Sequence, residues 1–302
     1  MCRVAPPAIA THGLSKDYGS DRGLFGLDLE VGQGEVFGFL GPNGAAKSTT
    51  MRLLLDLIKP TSGSAEMLGL DTRTDSLAIR RRVGFLPGDF ALYPKLTGRV
   101  VLDNLAELRG GVDTRVRDAL AERFDADLDR PVRELSTGNR QKLGLVQAFM
   151  HEPELLILDE PIAGLDPLVQ DSFHALLREV SAEGRTVFLS SHTLSEVERV
   201  THRLAILRRG RLVVVDTLEN LRAFAVQRLE FEFGDPVSAD AFRGLPGVAE
   251  VTAHNRTLIV AFEGSADAVI KAAAVHDVRA VRPRQEDLED IFLRYYRDEE
   301  TS

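Results

Sequence analysis

The feature that most constrains the fold is a short apolar run that ends in a glycine-rich turn and continues into helix formers. Residues 36–40 read Val-Phe-Gly-Phe-Leu, and residues 41–48 read Gly-Pro-Asn-Gly-Ala-Ala-Lys-Ser. Helix-forming residues then extend from Lys47 to Ile58, before Pro60. A continuous apolar run of this length is typical of a buried parallel strand. A strand, a glycine-rich turn and a helix in this order are the setting of a phosphate-binding loop.

In such a loop the main-chain N–H groups wrap the phosphates of a nucleotide. Lys47 is expected to reach the β- and γ-phosphates, and the Ser48 hydroxyl is expected to bind Mg²⁺. An ordinary strand-to-helix turn is the alternative interpretation of the same residues. The whole loop is a candidate nucleotide site: Gly41, Pro42, Asn43, Gly44, Ala45, Ala46, Lys47, Ser48 and Thr49.

Ala46 departs from the loop pattern G-x-x-x-x-G-K-[ST], in which this position is a glycine. We expect its methyl group to point toward the space of the phosphates and to restrict a backbone that glycine leaves free. Alanine is compatible with the start of a helix, so the fold should survive. The affinity for nucleotide is expected to be weak.

Two more apolar runs end in residues that carry chemistry. Residues 155–158 precede Asp159 and Glu160, and residues 186–189 lead to His192. The carboxyl ends of parallel strands meet at one edge of a sheet, where α/β proteins bind ligands. There Asp159 would bind Mg²⁺, Glu160 would polarise an attacking water, and His192 would lie near a γ-phosphate. An acidic turn after a strand is the simpler alternative.

The alternation of strand-length and helix-length segments predicts an α/β fold through most of the first 222 residues, with helices on both faces of the sheet. Residues 203–208 and 211–215 are predicted to form an antiparallel hairpin. Residues 96–150 have helical periodicity and form a predicted helical insertion. After Leu221 the predicted order βαββαβ is that of a ferredoxin-like unit. Its predicted strands are 228–233, 248–252, 256–262 and 277–281, its predicted helices are 238–243 and 265–274, and a last amphipathic helix is predicted at 286–297.

Composition narrows the possible classes of protein. The 302 residues are 44% hydrophobic and 27% charged, which is globular and long enough for two domains. A net charge of −9 disfavours a nucleic-acid partner. No apolar stretch approaches the ~20 residues of a membrane-spanning helix, and the first ten residues do not form a signal peptide. Because Cys2 is the only cysteine, a reducing cytoplasmic setting is expected.

These residues resemble the ATP-binding subunits of ABC transporters, particularly those of the export type with separate membrane subunits. The resemblance covers roughly residues 8–222 and rests on motifs in a fixed order. Tyr18 resembles the aromatic residue that stacks on adenine, residues 41–49 the Walker A loop, Leu135-Ser136-Thr137-Gly138-Asn139 the signature LSGGQ, residues 155–160 the Walker B strand, Ala163-Gly164-Leu165-Asp166 the D-loop, and His192 the switch histidine.

The resemblance implies a P-loop NTPase fold, with an ABC ATP-binding domain at residues 1–222 that includes a helical subdomain at about 96–150. Residues 223–302 would be an α+β accessory domain. The implied cofactors are ATP and Mg²⁺. The implied partners are an integral membrane permease and a second ATPase subunit, either an identical copy or a paired relative, with no nucleic acid. The protein would then lie on the cytoplasmic face of the cell membrane.

The resemblance implies a head-to-tail dimer with two ATP molecules between its subunits. In that dimer, Ser136 and Gly138 would face the γ-phosphate held by the second subunit, and Asp166 would link the two ATP sites. Phe90, Leu92 and Tyr93 would border the groove for a coupling helix of the permease, although a role in the core is an equal alternative. Gly88 stands where the family has a glutamine that serves Mg²⁺ and water. Two further functions stay open: a soluble ABC ATPase acting on ribosomes or DNA, and a nucleotide-impaired regulatory subunit.

Overall fold

The computed structural model describes residues 6–89, 91–223, 227–262 and 264–284. By its internal contacts the chain divides into two compact units, Met1–Leu218 and Glu219–Ser302. No helix within the described ranges is long and apolar enough to cross a membrane. Phe90 and the helix predicted at 286–297 lie outside the described residues.

The first unit alternates strands and helices. Its elements in chain order are β1 (Ile9–Asp17), β2 (Gly23–Val31), β3 (Val36–Leu40), α1 (Lys47–Leu54), β4 (Ser62–Met67), β5 (Leu70–Asp71), α2 (Ser76–Arg82), β6 (Val83–Leu86), α3 (Gly98–Leu108), α4 (Thr114–Arg123), a 3-10 turn (Val132–Glu134), α5 (Thr137–Phe149), β7 (Leu155–Asp159), α6 (Pro167–Ala182), β8 (Thr186–Ser191), α7 (Leu194–Val197), β9 (Arg203–Arg208) and β10 (Arg211–Thr217). The short helix α8 (Leu218–Ala223) spans the division between the units.

The central sheet has six strands in the order β10-β9-β3-β8-β7-β6. Its five strands from β9 to β6 are parallel, and β10 pairs antiparallel with β9, which confirms the predicted hairpin. Every residue of β3, β7 and β8 is buried, as expected for parallel strands covered on both faces. The carboxyl ends of these strands therefore lie side by side at one edge.

A second sheet, which the sequence pattern did not predict, has the order β2-β1-β4-β5 and is antiparallel. In β1 the first three residues are all buried, and the pairing with β2 shifts register between Thr11 and Leu14 and again between Leu14 and Lys16. These shifts break the alternation of buried and exposed residues by which a half-buried strand is recognised in a sequence.

Helix α1 packs in an apolar core that draws on both sheets. Met51 and Leu54 are fully buried there, together with Ile9 of β1 and Phe39 of β3. The helix is shorter than the predicted 47–58, because it ends in a Schellman motif with Asp56 at a φ of 54°. The N–H groups of Leu57 and Asp56 donate to the carbonyls of Arg52 (2.9 Å) and Leu53 (3.1 Å). This packing holds the amino end of α1 against the carboxyl end of β3.

The second unit has the predicted order βαββαβ. Its elements are β11 (Gln227–Phe233), α9 (Asp240–Arg243), β12 (Val248–His254), β13 (Thr257–Phe262), α10 (Asp267–Ala273) and β14 (Val278–Arg284). Its strands form an antiparallel sheet in the order β12-β13-β11-β14, the ferredoxin-like arrangement. Phe231, Phe233, Phe242 and Phe262 fill its core.

We expect Leu54→Ala to lower the free energy of unfolding of the first unit by about 2–5 kcal/mol, because it leaves a cavity in the core around α1. Leu54 is 0% exposed, whereas Leu57, three residues later, is 50% exposed. The matched change Leu57→Ala should lower it by less than about 1 kcal/mol. Urea denaturation of both variants measures the difference. Equal losses would mean that α1 is not packed as described.

Candidate functional site

The phosphate loop joins the end of β3 to the start of α1 at the carboxyl edge of the central sheet. The main-chain N–H of Gly41 donates to the carbonyl of Ser191, which ends β8, over 3.3 Å. The residue before α1 is Ala46, whose side chain cannot cap the helix. The first N–H groups of α1 therefore have no side-chain acceptor from a capping residue, and such an N-terminus favours an anion.

Ala46 has the left-handed backbone conformation that the glycine of the loop pattern adopts without strain. Its φ is 82° and its ψ is 18°, and this region costs an L-residue roughly 1–2 kcal/mol. Ala46 is 9% exposed and packs among the apolar residues around α1. The expected approach of its methyl group to the phosphates stays a prediction.

The ammonium of Lys47 is buried within the loop. The side chain is 6% exposed, and Nζ donates to the carbonyl of Gly41 over 2.5 Å. Nζ also lies 3.2 Å from Oε1 of Glu160. A buried ammonium needs such partners, because an isolated buried charge is strongly disfavoured. Lys47 therefore joins the phosphate loop to the carboxylate that follows β7.

Two carboxylates lie at the carboxyl end of β7: Asp159 is its last residue, and Glu160 follows it. Both are oriented by Ser190 of β8, the neighbouring strand. The Ser190 hydroxyl donates to Oδ1 of the buried Asp159 over 2.6 Å and accepts from the main-chain N–H of Glu160 over 3.0 Å. Ser190 lies between the apolar run 186–189 and His192, and the motifs in the sequence assign it no role. A small hydroxyl at the end of an apolar strand, beside a strand that ends in carboxylates, is the signal that was available.

Glu160 and His192 meet as their positions at neighbouring strand ends predicted. His192 Nδ1 lies 2.9 Å from Oε2 of Glu160, so the ring N–H donates to the carboxylate. The other oxygen, Oε1, is buried and has no hydrogen bond, although it is in ionic contact with Lys47. Glu160 itself has a φ of 49°. The carboxylate therefore lies between a buried ammonium and an imidazole that is half exposed.

Gly88 lies beside Asp159, because β6 pairs in parallel with β7 and ends next to it. A Cβ atom at Gly88 would be 3.1 Å from Oδ2 of Asp159. The position that carries a glutamine in the resembled family is thus at the carboxylate edge in this chain. Glycine offers no side-chain ligand there.

The signature and D-loop residues form a second cluster. Ser136 caps α5, and its hydroxyl accepts from the N–H of Asn139 over 3.1 Å. Gly138 lies against the turn before α6. A Cβ atom added to Gly138 would be only 2.6 Å from the carbonyl oxygen of Gly164 in that turn. Asp166 caps α6 by accepting from the N–H of Val169 over 3.1 Å.

This cluster lines an open cavity of about 820 Å³. Lys142 adds a cation at its wall, 3.8 Å from Oδ2 of Asp166. Gln141, which sequence analysis did not single out, donates to the carbonyls of Glu160 (3.2 Å) and Pro161 (2.9 Å). Helix α5 is therefore tied through the partly buried amide of Gln141 to the segment that carries Glu160.

Tyr18 lies directly after β1 and is 51% exposed. Its ring is in contact with the ammonium of Lys16, 5.6 Å from the ring centroid. The contacts described for Tyr18 do not join it to the phosphate loop. An exposed aromatic ring with an open face fits the stacking role that the resemblance implies, and that role stays a prediction.

Comparison with known proteins agrees with the motifs. The profile of the ABC transporter family matches residues 24–163. The bacitracin transport ATP-binding protein of Enterococcus faecalis is 33% identical over 291 residues, which cover 94% of each chain. The daunorubicin/doxorubicin resistance ATP-binding protein of Streptomyces peucetius is 33% identical over 302 residues, covering 95% of this chain and 91% of that protein.

A solved structure of an ATP-binding subunit of an ABC transporter superimposes on this chain with a TM-score of 0.65 and 30% identity. The superposition covers 71% of this chain and 92% of that structure. Two relatives that match nearly the whole chain, a family profile and a solved fold thus agree on the family and the fold. The chain belongs to the ABC transporter family, as an ATP-binding and ATP-hydrolysing subunit of the export type.

Proposed function

We propose that residues 41–49 bind the phosphates of ATP and that Glu160 polarises the water that attacks the γ-phosphate. The observation that carries this proposal is the position of the Glu160 carboxylate, 3.2 Å from Lys47 Nζ and 2.9 Å from His192 Nδ1. A carboxylate in this position can accept a proton from the attacking water. The neighbouring lysine and histidine can stabilise the negative charge that develops on the phosphate. Hydrolysis of ATP is the activity of the family.

Mg²⁺ fits the donor set at this edge. The ion prefers oxygen ligands, with few from protein and the rest from water and phosphate. Ser48 provides a hydroxyl, and Asp159 provides a carboxylate whose Oδ1 is held by Ser190. Oδ2 of Asp159 faces Gly88, which leaves room for water because glycine has no side chain. Bound there, Mg²⁺ would neutralise charge on the phosphates.

Lys47 must exchange partners when a nucleotide binds. Its ammonium is held by the Gly41 carbonyl and by Glu160. A γ-phosphate is a stronger anionic partner than a carbonyl, and charge-assisted hydrogen bonds are the stronger ones. We infer that Lys47 turns from Gly41 to the phosphate, and that Glu160, no longer bound to the ammonium alone, becomes available to water. His192 keeps the carboxylate oriented during that exchange.

The site requires a second subunit. Ser136, Gly138 and Asp166 line a cavity that is open on one side, at the amino ends of α5 and α6. Helix N-termini of this kind favour an anion. Ser136 and Asp166 are held there as the caps of α5 and α6, and no residue of the phosphate loop is among those that line the cavity. We propose that this cavity receives the γ-phosphate held by a second ATPase subunit, identical or related, in an ATP-sandwich dimer.

The membrane partner is proposed to dock in an apolar groove of about 980 Å³. Most of its walls come from the segments around β6, the residues that follow it, and α3. Leu108 (83% exposed) and Tyr93 (72% exposed) are large apolar side chains at its surface. Apolar surface of this extent marks an interaction site. We propose that a helix of an integral membrane permease fills this groove, on the cytoplasmic face of the membrane.

The relatives are named for bacitracin transport and for daunorubicin or doxorubicin resistance. By analogy we propose that this subunit drives export of a compound through its permease, whose own walls would select the compound. The strained Ala46 supports one second candidate, a subunit with impaired nucleotide binding that pairs with a fully active relative.

Glu160→Gln should abolish ATP turnover, because an amide cannot accept the proton of the attacking water. It should leave ATP binding intact and favour the dimer, since the isosteric side chain adds no negative charge at the site. Glu154→Gln is the matched control at the other end of β7, where the exposed Glu154 pairs with Arg82. Steady-state ATPase assays and sedimentation at saturating ATP measure both effects. A monomeric Glu160→Gln protein would contradict the sandwich proposal.

Ala46→Gly should raise the affinity for Mg-ATP several-fold, because it removes the methyl group that we expect to approach the phosphates and leaves the backbone of the loop free to adjust to them. Ala45→Gly is the control, since it makes the same change one residue earlier, where the backbone is not left-handed. It should not raise the affinity. Titration calorimetry with Mg-ATP compares the three proteins. Equal binding by all three would show that Ala46 does not impair the loop.

Leu108→Glu should reduce binding to membrane vesicles that contain the native permease by roughly tenfold or more, because it buries a charge in an apolar interface. Leu77→Glu places the same charge at a side chain that is 62% exposed on α2, outside the groove. Co-sedimentation with inverted vesicles from the source organism measures the binding. Unchanged recovery of the Leu108→Glu protein would exclude the groove as the docking site.

A further inference from the structure

His174 is a buried histidine that the proposed chemistry does not use. It lies in α6 and is 4% exposed. Within the described part of the chain, neither ring nitrogen makes a well-formed hydrogen bond to a protein group, although the main-chain carbonyl of Glu196 is close enough to interact weakly with the ring. A buried polar side chain with no partner is destabilising and calls for an explanation, such as a role in the site or a bound water.

The ring is neutral at ordinary pH. Burial lowers the pKa of His174, and the nearby Arg199 guanidinium lowers it further. The Asp171 carboxylate raises the pKa, and the Arg178 guanidinium lowers it by less than Arg199 does. The smallest effect comes from the main-chain carbonyl of Glu196, which raises the pKa. A neutral imidazole has one N–H donor and one acceptor nitrogen. His174 can therefore either donate a hydrogen bond to a small polar molecule or accept one from it.

A small, largely closed cavity of about 10 Å³ lies beside the ring. Its walls include Ser190, Ser191 and Glu196 together with His174. A cavity of this size has room for one water molecule, provided that two to four polar groups can bind it. The lining residues carry hydroxyl, carboxylate and main-chain groups with which such a water would share its hydrogen bonds.

The walls of the cavity belong to the segments that hold the catalytic groups. Ser190 binds the carboxylate of Asp159 and the N–H of Glu160. Ser191 precedes His192, and its hydroxyl donates to the carboxylate of Glu196. Pro161 follows Glu160 directly and also lines the cavity. A group bound here contacts the segment that follows β7, the end of β8 and the middle of α6.

We propose that one water molecule occupies this cavity and hydrogen bonds to a ring nitrogen of His174, which makes His174 a positioning residue for the catalytic edge. The water completes the hydrogen bonds of the ring and ties α6 to the segments that carry Glu160 and His192. This role rests on the proposed role of Glu160. His174 touches neither nucleotide nor the attacking water, so it acts only through the groups it holds in place.

The test is a set of three substitutions at one position. His174→Leu keeps most of the volume and removes both nitrogens. His174→Asn retains a polar atom near the place of Nδ1, and His174→Gln retains one near the place of Nε2. His202→Leu is the matched control, because His202 is exposed. For each protein, kcat and KM for ATP and the midpoint of thermal unfolding are measured.

We expect His174→Leu to lower kcat by about tenfold, the lower end of the range for residues that orient catalytic groups, with KM for ATP unchanged. One of the two amide variants should recover most of kcat, and the one that does identifies the nitrogen that binds the water. His202→Leu should change neither constant. A selective loss of kcat with rescue by an amide is not expected of a residue that only fills space.

Two results would overturn the proposal. If His174→Leu raises the midpoint of unfolding and leaves kcat unchanged, the nitrogens have no bound partner and removing them only relieves the structure. If kcat falls and neither amide restores it, the shape of the ring matters and not its hydrogen bond. Loss of turnover in Glu160→Gln is expected in either case, so these failures are distinct from a failure of the proposed function.

A crystal structure of the unaltered protein decides the matter where the leucine variant does not fold. Electron density for a water within about 3.2 Å of a ring nitrogen of His174 and of a second polar wall atom supports the proposal. A cavity closed by side chains, with His174 bonded directly to protein, overturns it.

Discussion

The buried ammonium of Lys47 requires negative charge at the point where three parallel strands end, and the geometry of the site follows from that requirement. Glu160 supplies the charge 3.2 Å away, and the Gly41 carbonyl accepts a hydrogen bond from the same ammonium. Glu160 is oriented in turn by His192 through its side chain and by Ser190 through its main chain. A phosphate that enters the loop would thus compete with existing partners of Lys47, and its arrival would change the surroundings of the catalytic carboxylate.

This arrangement depends on how α1 is packed. The helix lies in a core shared by the central sheet and the antiparallel sheet, and Ala46 at its amino end belongs to that core. A left-handed alanine persists only where the surrounding structure holds it. Here the buried residues of α1 on one side and the pairing of β3 on the other leave the loop little freedom. The same packing explains why an alanine at this position is compatible with the fold although it strains the loop.

The parts of the site that could be predicted from the sequence are those that depend on buried parallel strands. Such strands appear as continuous apolar runs, and the residues after them, Lys47, Asp159, Glu160 and His192, meet because the strands end together. The antiparallel sheet was missed although β2 carries an alternating signal, with Leu27, Leu29 and Val31 buried between exposed Asp28 and Glu30. The register shifts break this pattern only in β1. The length of α1 was overestimated because a left-handed Asp56 ends it before Pro60.

Helix α6 connects two parts of the site that the sequence presents as separate motifs. Asp166 caps its amino end at the signature cavity, and His174 lies eight residues further, which is about 12 Å along a helix. At its outer surface Asp171 forms an ion pair with Arg199 over 3.1 Å. Phe173 and His174 of the same helix line one small cavity with Ser190 and Ser191 at the end of β8. A displacement of Asp166 that moved α6 as a body would therefore reach the segment that leads to His192 through these packed side chains.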